Sequence, residues 1–131
     1  MEYFLESLPL VFTPMTILLA VVGIVAGIII GALPGLSSTM GVALFIPVTY
    51  TMEPATGLVF LAAVYMASVY GGSISAILIQ TPGTPSAVIT ALDGYELTKQ
   101  GRSGEALSMS VISSTVGGLV SVVALMFLAP P

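Results

Sequence analysis

Three long stretches without a charged residue constrain this chain more than any other feature. Residues 7–52, 54–92 and 106–131 contain no Asp, Glu, Lys or Arg. Apolar stretches of about 18 residues or more are typical of helices that cross a membrane. We therefore predict an all-α, polytopic membrane fold with about three or four apolar segments, which makes the lipid bilayer the chain's first partner.

The composition supports this prediction and excludes several classes of function. Of the 131 residues, 56% are hydrophobic and only 6% are charged, whereas soluble domains usually carry about 25% charged residues. Because the chain has no Cys and no His, it cannot form a disulfide or a Ser–His catalytic pair by itself. Its net charge of −4 gives no basic patch for nucleic acid. We expect no enzymatic activity, no nucleic-acid partner and no cofactor.

The apolar runs predict the positions of the helices. The first helix should run from about residue 8 to residue 33, with Pro9 and Pro14 in its opening turns, where proline is tolerated. A short helix over residues 40–50 should follow, and its length leaves open whether it re-enters or crosses obliquely. Further helices are predicted over residues 55–70 and from about residue 103 to residue 128. Glycines at positions 23, 27 and 31 should let another helix approach the first one closely.

Three polar segments interrupt these apolar runs and are the candidate site. Irregular backbone persists inside a membrane only where it is buried in protein or lines a cavity. Interrupted helices of this kind build the sites of many transporters, because helix N-termini attract carboxylates and free carbonyls bind Na⁺. The predicted substrate-binding residues are Pro34, Gly35, Ser37, Ser38 and Thr39 in the first break, Gly71, Gly72, Ser73 and Ser75 in the second, and Thr81, Gly83 and Thr84 in the third.

Most of the charges lie in one segment, residues 93–105, which we predict to be an aqueous loop. Asp93 and Gly94 should end a short helix there. The segment holds both basic residues, Lys99 and Arg102, and the positive-inside rule therefore places it in the cytoplasm. Because no carboxylate is predicted deep within a span, Na⁺ is favoured over a proton as the coupling ion, and its ligands stay unassigned.

The same polar segments carry a family resemblance. Residues 31–37 (GALPGLS), 70–78 (YGGSISAIL), 80–85 (QTPGTP), 92–95 (LDGY) and 99–101 (KQG) resemble signatures of the large membrane subunit of tripartite tricarboxylate transporters, the TctA family. The resemblance covers nearly the whole chain, in order and with the expected spacing. Family members are much longer, so residues 1–131 would form the incomplete N-terminal part of a transporter membrane domain.

The resemblance implies secondary active transport driven by an ion gradient. Such systems import tricarboxylates or related carboxylates across the inner membrane of a bacterial or archaeal cell. A periplasmic solute-binding protein would deliver the substrate, and a small membrane subunit would accompany the large one. The alternative is a small self-assembling membrane pore or structural subunit, in which the glycine stripes would mediate contacts between copies.

Overall fold

A computed structural model describes residues 2–129, with side chains for residue 6 and residues 8–129. Six α-helices follow one another: α1 (Glu2–Val11), α2 (Pro14–Ala32), α3 (Ser38–Thr49), α4 (Pro54–Ile79), α5 (Val88–Lys99) and α6 (Ser103–Leu128), with a 3-10 turn (Pro85–Ala87) before α5. No strand occurs over residues 2–129. Helices α2, α4 and α6 are long and apolar enough to cross a membrane, and α3 is a shorter apolar helix. The predicted all-α membrane fold is confirmed.

The single first helix predicted from about residue 8 is wrong, because the chain breaks between α1 and α2. Helix α1 ends at Val11, and Pro14 becomes the first residue of α2. Proline has no N–H to donate to an earlier turn, so it starts a helix more readily than it continues one. Thr13 caps α2, since its side-chain oxygen accepts the Thr16 N–H at 3.2 Å.

Helices α2 and α4 run parallel and touch through backbone. A Cβ placed on Gly23 would lie 3.0 Å from the Phe60 carbonyl oxygen, and one on Gly27 would lie 2.5 Å from that of Val64. A Cβ on Gly31 would overlap the carbonyl of Ser68. Each step of four residues along α2 matches a step of four along α4, which fixes the parallel direction. The glycine stripe therefore packs helices, as predicted.

A hydrogen bond between two hydroxyl groups joins the first turns of α2 and α4. Thr16 Oγ1 and Thr56 Oγ1 lie 3.0 Å apart, and Thr13 Oγ1 lies 2.7 Å from Thr16 Oγ1. Thr16 and Thr56 are both buried. Their hydrogen bonds satisfy polar groups that would otherwise be costly to bury.

Helix α3 must cross back, because α2 and α4 are parallel. It begins beside the end of α2, where Gly41 faces Ile30, and it ends beside the start of α4, where Thr49 faces Gly57. Ser37 caps it by accepting the Met40 N–H at 3.2 Å, so α3 begins at Ser38. Its 12 residues cover about 18 Å, so the turn over residues 50–53 completes the return.

The helix break predicted at Gly71–Ser75 is wrong, since α4 continues through it to Ile79. Glycine costs a helix only about 1 kcal/mol relative to alanine and keeps its N–H. The glycines serve close packing instead. A Cβ on Gly71 would lie 2.5 Å from the Ile28 carbonyl oxygen of α2, and one on Gly72 would lie 2.6 Å from Thr84 Oγ1.

The helix stop predicted at Asp93–Gly94 is also wrong, because α5 runs on to Lys99. Gly94 packs against Ile77, where an added Cβ would lie 2.6 Å from Cγ1. Thr98 Oγ1 donates to the Ile77 carbonyl at 2.7 Å, which ties α5 to α4. The chain turns only at Gly101, which has a φ of 75°. The segment predicted as a loop over residues 93–105 is therefore helix up to Lys99, a turn over residues 100–102, and helix again from Ser103.

Two exposed ion pairs mark this turn as a water-facing end of the molecule. Lys99 Nζ lies 2.7 Å from Glu96, and Arg102 lies 2.6 Å from Glu105. Exposed pairs of this kind contribute about 0–1 kcal/mol each, so they indicate solvent rather than stability. From the turn, α6 runs antiparallel to α4, within the bounds that the sequence predicted.

We predict that Gly31→Ala lowers the stability of the protein although alanine favours helix. The added methyl would overlap the Ser68 carbonyl, and such overpacking costs about 1–3 kcal/mol. Gly118→Ala in α6 is the matched control, because nothing lies near its Cβ position. It should leave stability unchanged or raise it by up to about 1 kcal/mol. Unfolding in SDS, followed by circular dichroism, measures both. Equal effects of the two substitutions would contradict the parallel contact.

A second prediction concerns topology. Thr51 precedes α4 and Gln100 follows α5, so the length of α4, about 39 Å for 26 residues, separates them. Because the chain has no cysteine, Thr51→Cys and Gln100→Cys each introduce a single thiol. In intact spheroplasts, an impermeant maleimide should label Thr51→Cys at once and Gln100→Cys only after lysis. Labelling of both from one side would contradict the fold, and the reversed pattern would contradict only the cytoplasmic orientation.

Candidate functional site

The segment after α4 folds back over the last turns of that helix. Gln80 takes a left-handed conformation with φ 55°, and its N–H donates to the Ser75 carbonyl. The Thr81 N–H lies 3.4 Å from the same carbonyl. The chain then reverses, and the Gly83 N–H donates to the Gly72 carbonyl at 3.4 Å. The loop therefore lies about 10 Å back from the end of α4.

Three glycines from three segments meet where the loop folds back. A Cβ on Gly83 would overlap the Gly31 carbonyl of α2 and would lie 3.0 Å from the Gly72 Cα of α4. Ser75 Oγ donates to the Gly72 carbonyl at 3.1 Å. A Cβ on Gly83 would lie 3.2 Å from this same Ser75 Oγ. Backbone approaches backbone here, which only glycine permits. We call Gly31, Gly72 and Gly83 the glycine junction.

A pocket of about 350 Å³ lies beside the glycine junction. It joins the break that follows α2 to the break that follows α4. Its lining residues are Gly35, Ser37, Pro82, Gly83, Thr84, Pro85 and Val88. None of them carries a charge, so polar groups and backbone determine the chemistry of the pocket. The first and third predicted breaks thus form one site.

The start of α3 supplies the electrostatics of this pocket. Ser37 is the N-cap of α3, and its hydroxyl also lies 2.9 Å from Thr39 Oγ1. The first N–H groups of a helix have no partner within the helix, and they carry the positive end of its dipole. A neutral pocket beside such an end favours an anionic group over a cation.

The structure brings only some of the predicted site residues together. The pocket itself is lined by Gly35, Ser37, Gly83 and Thr84, and Gly72 and Ser75 lie directly behind it. Pro34 shapes the break, while Ser38 is buried in the first turn of α3 and Thr39 is exposed. Gly71 faces α2, and exposed Thr81 bonds to the Ile79 carbonyl. Ser73 lines a different cleft, between α4, α5 and α6.

Four further residues of the junction and pocket were not among the predicted site residues: Gly31, Pro82, Pro85 and Val88. Gly31 belongs to a stripe whose spacing predicts helix packing, and it serves packing and the junction at once. The two prolines were part of the third break, and their restriction of the backbone was the available signal. Nothing in the sequence marks Val88 as a site residue, because apolar residues are common at the start of a membrane helix. Residues 6–129 contain no cluster of acidic side chains that could hold a metal ion.

Comparisons with known proteins agree with the family resemblance that the sequence motifs carry. Residues 17–131 match the model of the tripartite tricarboxylate transporter TctA family. The chain is 40% identical over 119 residues to an uncharacterized 52.8 kDa protein in the TAR-I ttuC' 3' region of Agrobacterium vitis. That match covers 91% of this chain and 24% of the relative, so the chain spans about a quarter of the relative's length. No solved structure matches this chain. The chain belongs to the tripartite tricarboxylate transporter TctA family.

Proposed function

We propose that this chain is the N-terminal part of the large membrane subunit of a transporter that imports tricarboxylates or related carboxylates. Family membership supports this proposal over an enzyme and over the self-assembling pore. The protein would lie in the inner membrane of a bacterial or archaeal cell. A periplasmic solute-binding protein and a small membrane subunit would be its partners, and an ion gradient, of Na⁺ rather than protons, would drive import.

One observation carries the proposal: two interrupted segments of an apolar chain line one neutral pocket. The pocket lies about 10 Å short of the end of α4, beside a helix that is long enough to cross a membrane. Non-helical backbone at such a depth persists when it lines a cavity or is buried in protein. If the two breaks faced only lipid, the N–H groups of their non-helical backbone would stay unpaired, at a cost of several kcal/mol each.

The polar groups of the pocket suit a carboxylate. Thr84 is 3% exposed, and its hydroxyl lies 3.1 Å from Ser86 Oγ, so it is held in place. Together with Ser37 and the N-terminal end of α3, it offers donors without a fixed charge. Such a site binds an anion through dipoles and can release it again, which a transport cycle requires.

We predict that Thr84→Val reduces carboxylate uptake by about tenfold. Valine keeps the shape of threonine but removes the hydroxyl, and a hydrogen bond to a charged group contributes about 1.5–3 kcal/mol. Uptake of labelled citrate by membrane vesicles that carry the full-length protein and its partners measures the effect as kcat/KM.

Thr115→Val is the matched control for this substitution. Thr115 Oγ1 donates to the Val111 carbonyl of its own helix at 2.8 Å, and the residue lies on α6, outside the pocket. Uptake and protein level should both stay unchanged in that variant. If both variants transport citrate at the rate of the unmodified protein, the pocket is not the substrate site.

A further prediction separates the transporter from the pore. In liposomes that contain the full-length protein and the small subunit, citrate accumulation should require both an imposed Na⁺ gradient and added solute-binding protein. A self-assembling pore would instead conduct ions without any gradient coupling or binding protein. Conductance of that kind, together with no accumulation of citrate, would refute the proposed function.

A further inference from the structure

The short turn that precedes α5 holds two hydroxyl groups together. Thr84 Oγ1 and Ser86 Oγ lie 3.1 Å apart, with Pro85 between them in the chain. Proline favours an extended conformation in the residue before it, and Thr84 adopts one, with a φ of −128° and a ψ of 152°. The Ala87 N–H donates to the Thr84 carbonyl at 3.0 Å, and the Ala87 side chain is buried. The backbone of the turn therefore keeps the two hydroxyls at hydrogen-bond distance.

The two hydroxyls face different cavities. Thr84 is buried and lines the pocket beside the glycine junction, where its Oγ1 lies 2.6 Å from the position that a Cβ on Gly72 would take. Ser86 is exposed and lines the cleft between α4, α5 and α6. A ligand in the pocket can therefore touch Thr84, whereas Ser86 acts on such a ligand through Thr84.

The direction of the hydrogen bond between Thr84 and Ser86 determines what the pocket offers a ligand. A hydroxyl group has one proton to donate. If Thr84 donates to Ser86, its oxygen turns only lone pairs toward the pocket, and these repel a carboxylate. If Ser86 donates to Thr84, the Thr84 proton is free to bind a carboxylate. Among the side chains that the structure describes, Ser86 is the one that hydrogen bonds to the Thr84 hydroxyl, so no second side chain competes for that proton.

The second direction also strengthens the bond to the ligand. Hydrogen bonds arranged in a chain polarise one another, and each is electrostatically stronger in the protein interior than in water. Because Thr84 is buried, its hydroxyl lies in such an environment. A hydrogen bond donated by Ser86 therefore makes the Thr84 hydroxyl a better donor to an anion.

We propose that Ser86 is a positioning residue of the carboxylate pocket: it donates to Thr84 and so directs the Thr84 proton toward the bound carboxylate. The inference rests on the proposed function, since it takes the ligand of the pocket to be a carboxylate. A serine that only shaped the turn would affect folding, and its effect on ligand affinity would not depend on the Thr84 hydroxyl.

Citrate binding in a double-mutant cycle tests the proposal. The full-length protein is purified with its small subunit, and the half-saturating citrate concentration is taken from the rise in the thermal unfolding midpoint, because a ligand that binds only the folded state stabilises it. Ser86→Ala should raise that concentration about three- to fivefold, which corresponds to the loss of one hydrogen bond between neutral groups. In a Thr84→Val background the same substitution should have an effect of less than about twofold, because Ser86 then has no hydroxyl to act on.

Two further variants and a matched control accompany the cycle. Ser86→Thr keeps the hydroxyl and should bind citrate within about twofold of the unmodified protein. Ser86→Cys keeps the size of the side chain but is a weak donor, so it should behave like Ser86→Ala, and it keeps the test decisive if Ser86→Ala does not fold. Ser114→Ala is the control, because Ser114 lines the same cleft as Ser86 but from α6. It should leave citrate binding unchanged.

The outcomes separate this inference from the proposed function. If Thr84→Val weakens citrate binding but Ser86→Ala and Ser86→Cys do not, the role of Ser86 fails and the carboxylate pocket stands. An equal effect of Ser86→Ala in the presence and absence of the Thr84 hydroxyl also overturns the inference, because Ser86 would then act independently. If the unmodified protein does not respond to citrate, or if Thr84→Val binds citrate normally, the carboxylate pocket itself fails and the inference fails with it.

Discussion

The backbone contact between α2 and α4 is the constraint on which the rest of this structure depends. Gly23, Gly27 and Gly31 let two apolar helices approach until one helix touches the carbonyls of the other. Inside a membrane there is little hydrophobic gain from burying leucine against leucine, so close packing of this kind carries the association. Because the contact is parallel, the chain must return between the two helices, and α3 with its flanking turns is that return. The parallel contact therefore requires a break after α2.

The same contact determines where the site lies. Gly31 ends the stripe on α2, and the loop after α4 folds back until Gly83 reaches the Gly31 carbonyl and Gly72. A side chain on any of the three would hold the segments apart and would separate the two breaks. The pocket between Ser37 and Thr84 thus exists because α2, α4 and the loop share a junction without side chains.

The sequence correctly predicted the break at Pro34–Gly35 and wrongly predicted one at Gly71–Ser75, and the difference is physical. At Pro34–Gly35 a proline removes a donor and Gly35 adopts a φ of 97°, so a break is enforced locally. Gly71 and Gly72 keep their donors, and only the position of α2 shows that they serve packing. The sequence also did not show which way each side chain of α4 points. One step along a helix turns the side chain by about 100°, so Ser73 lines one cavity while Gly72 lies beside the other.

This arrangement places two cavities on different faces of α4. Gly72 and Ser75 lie directly behind the pocket that Ser37 and Thr84 line, whereas Ser73 lines a separate cleft between α4, α5 and α6. Because neighbouring residues of one helix border both cavities, a shift of α4 would change the shape of both at once. The glycine junction limits such a shift, since Gly72 packs against Gly83 without a side chain between them.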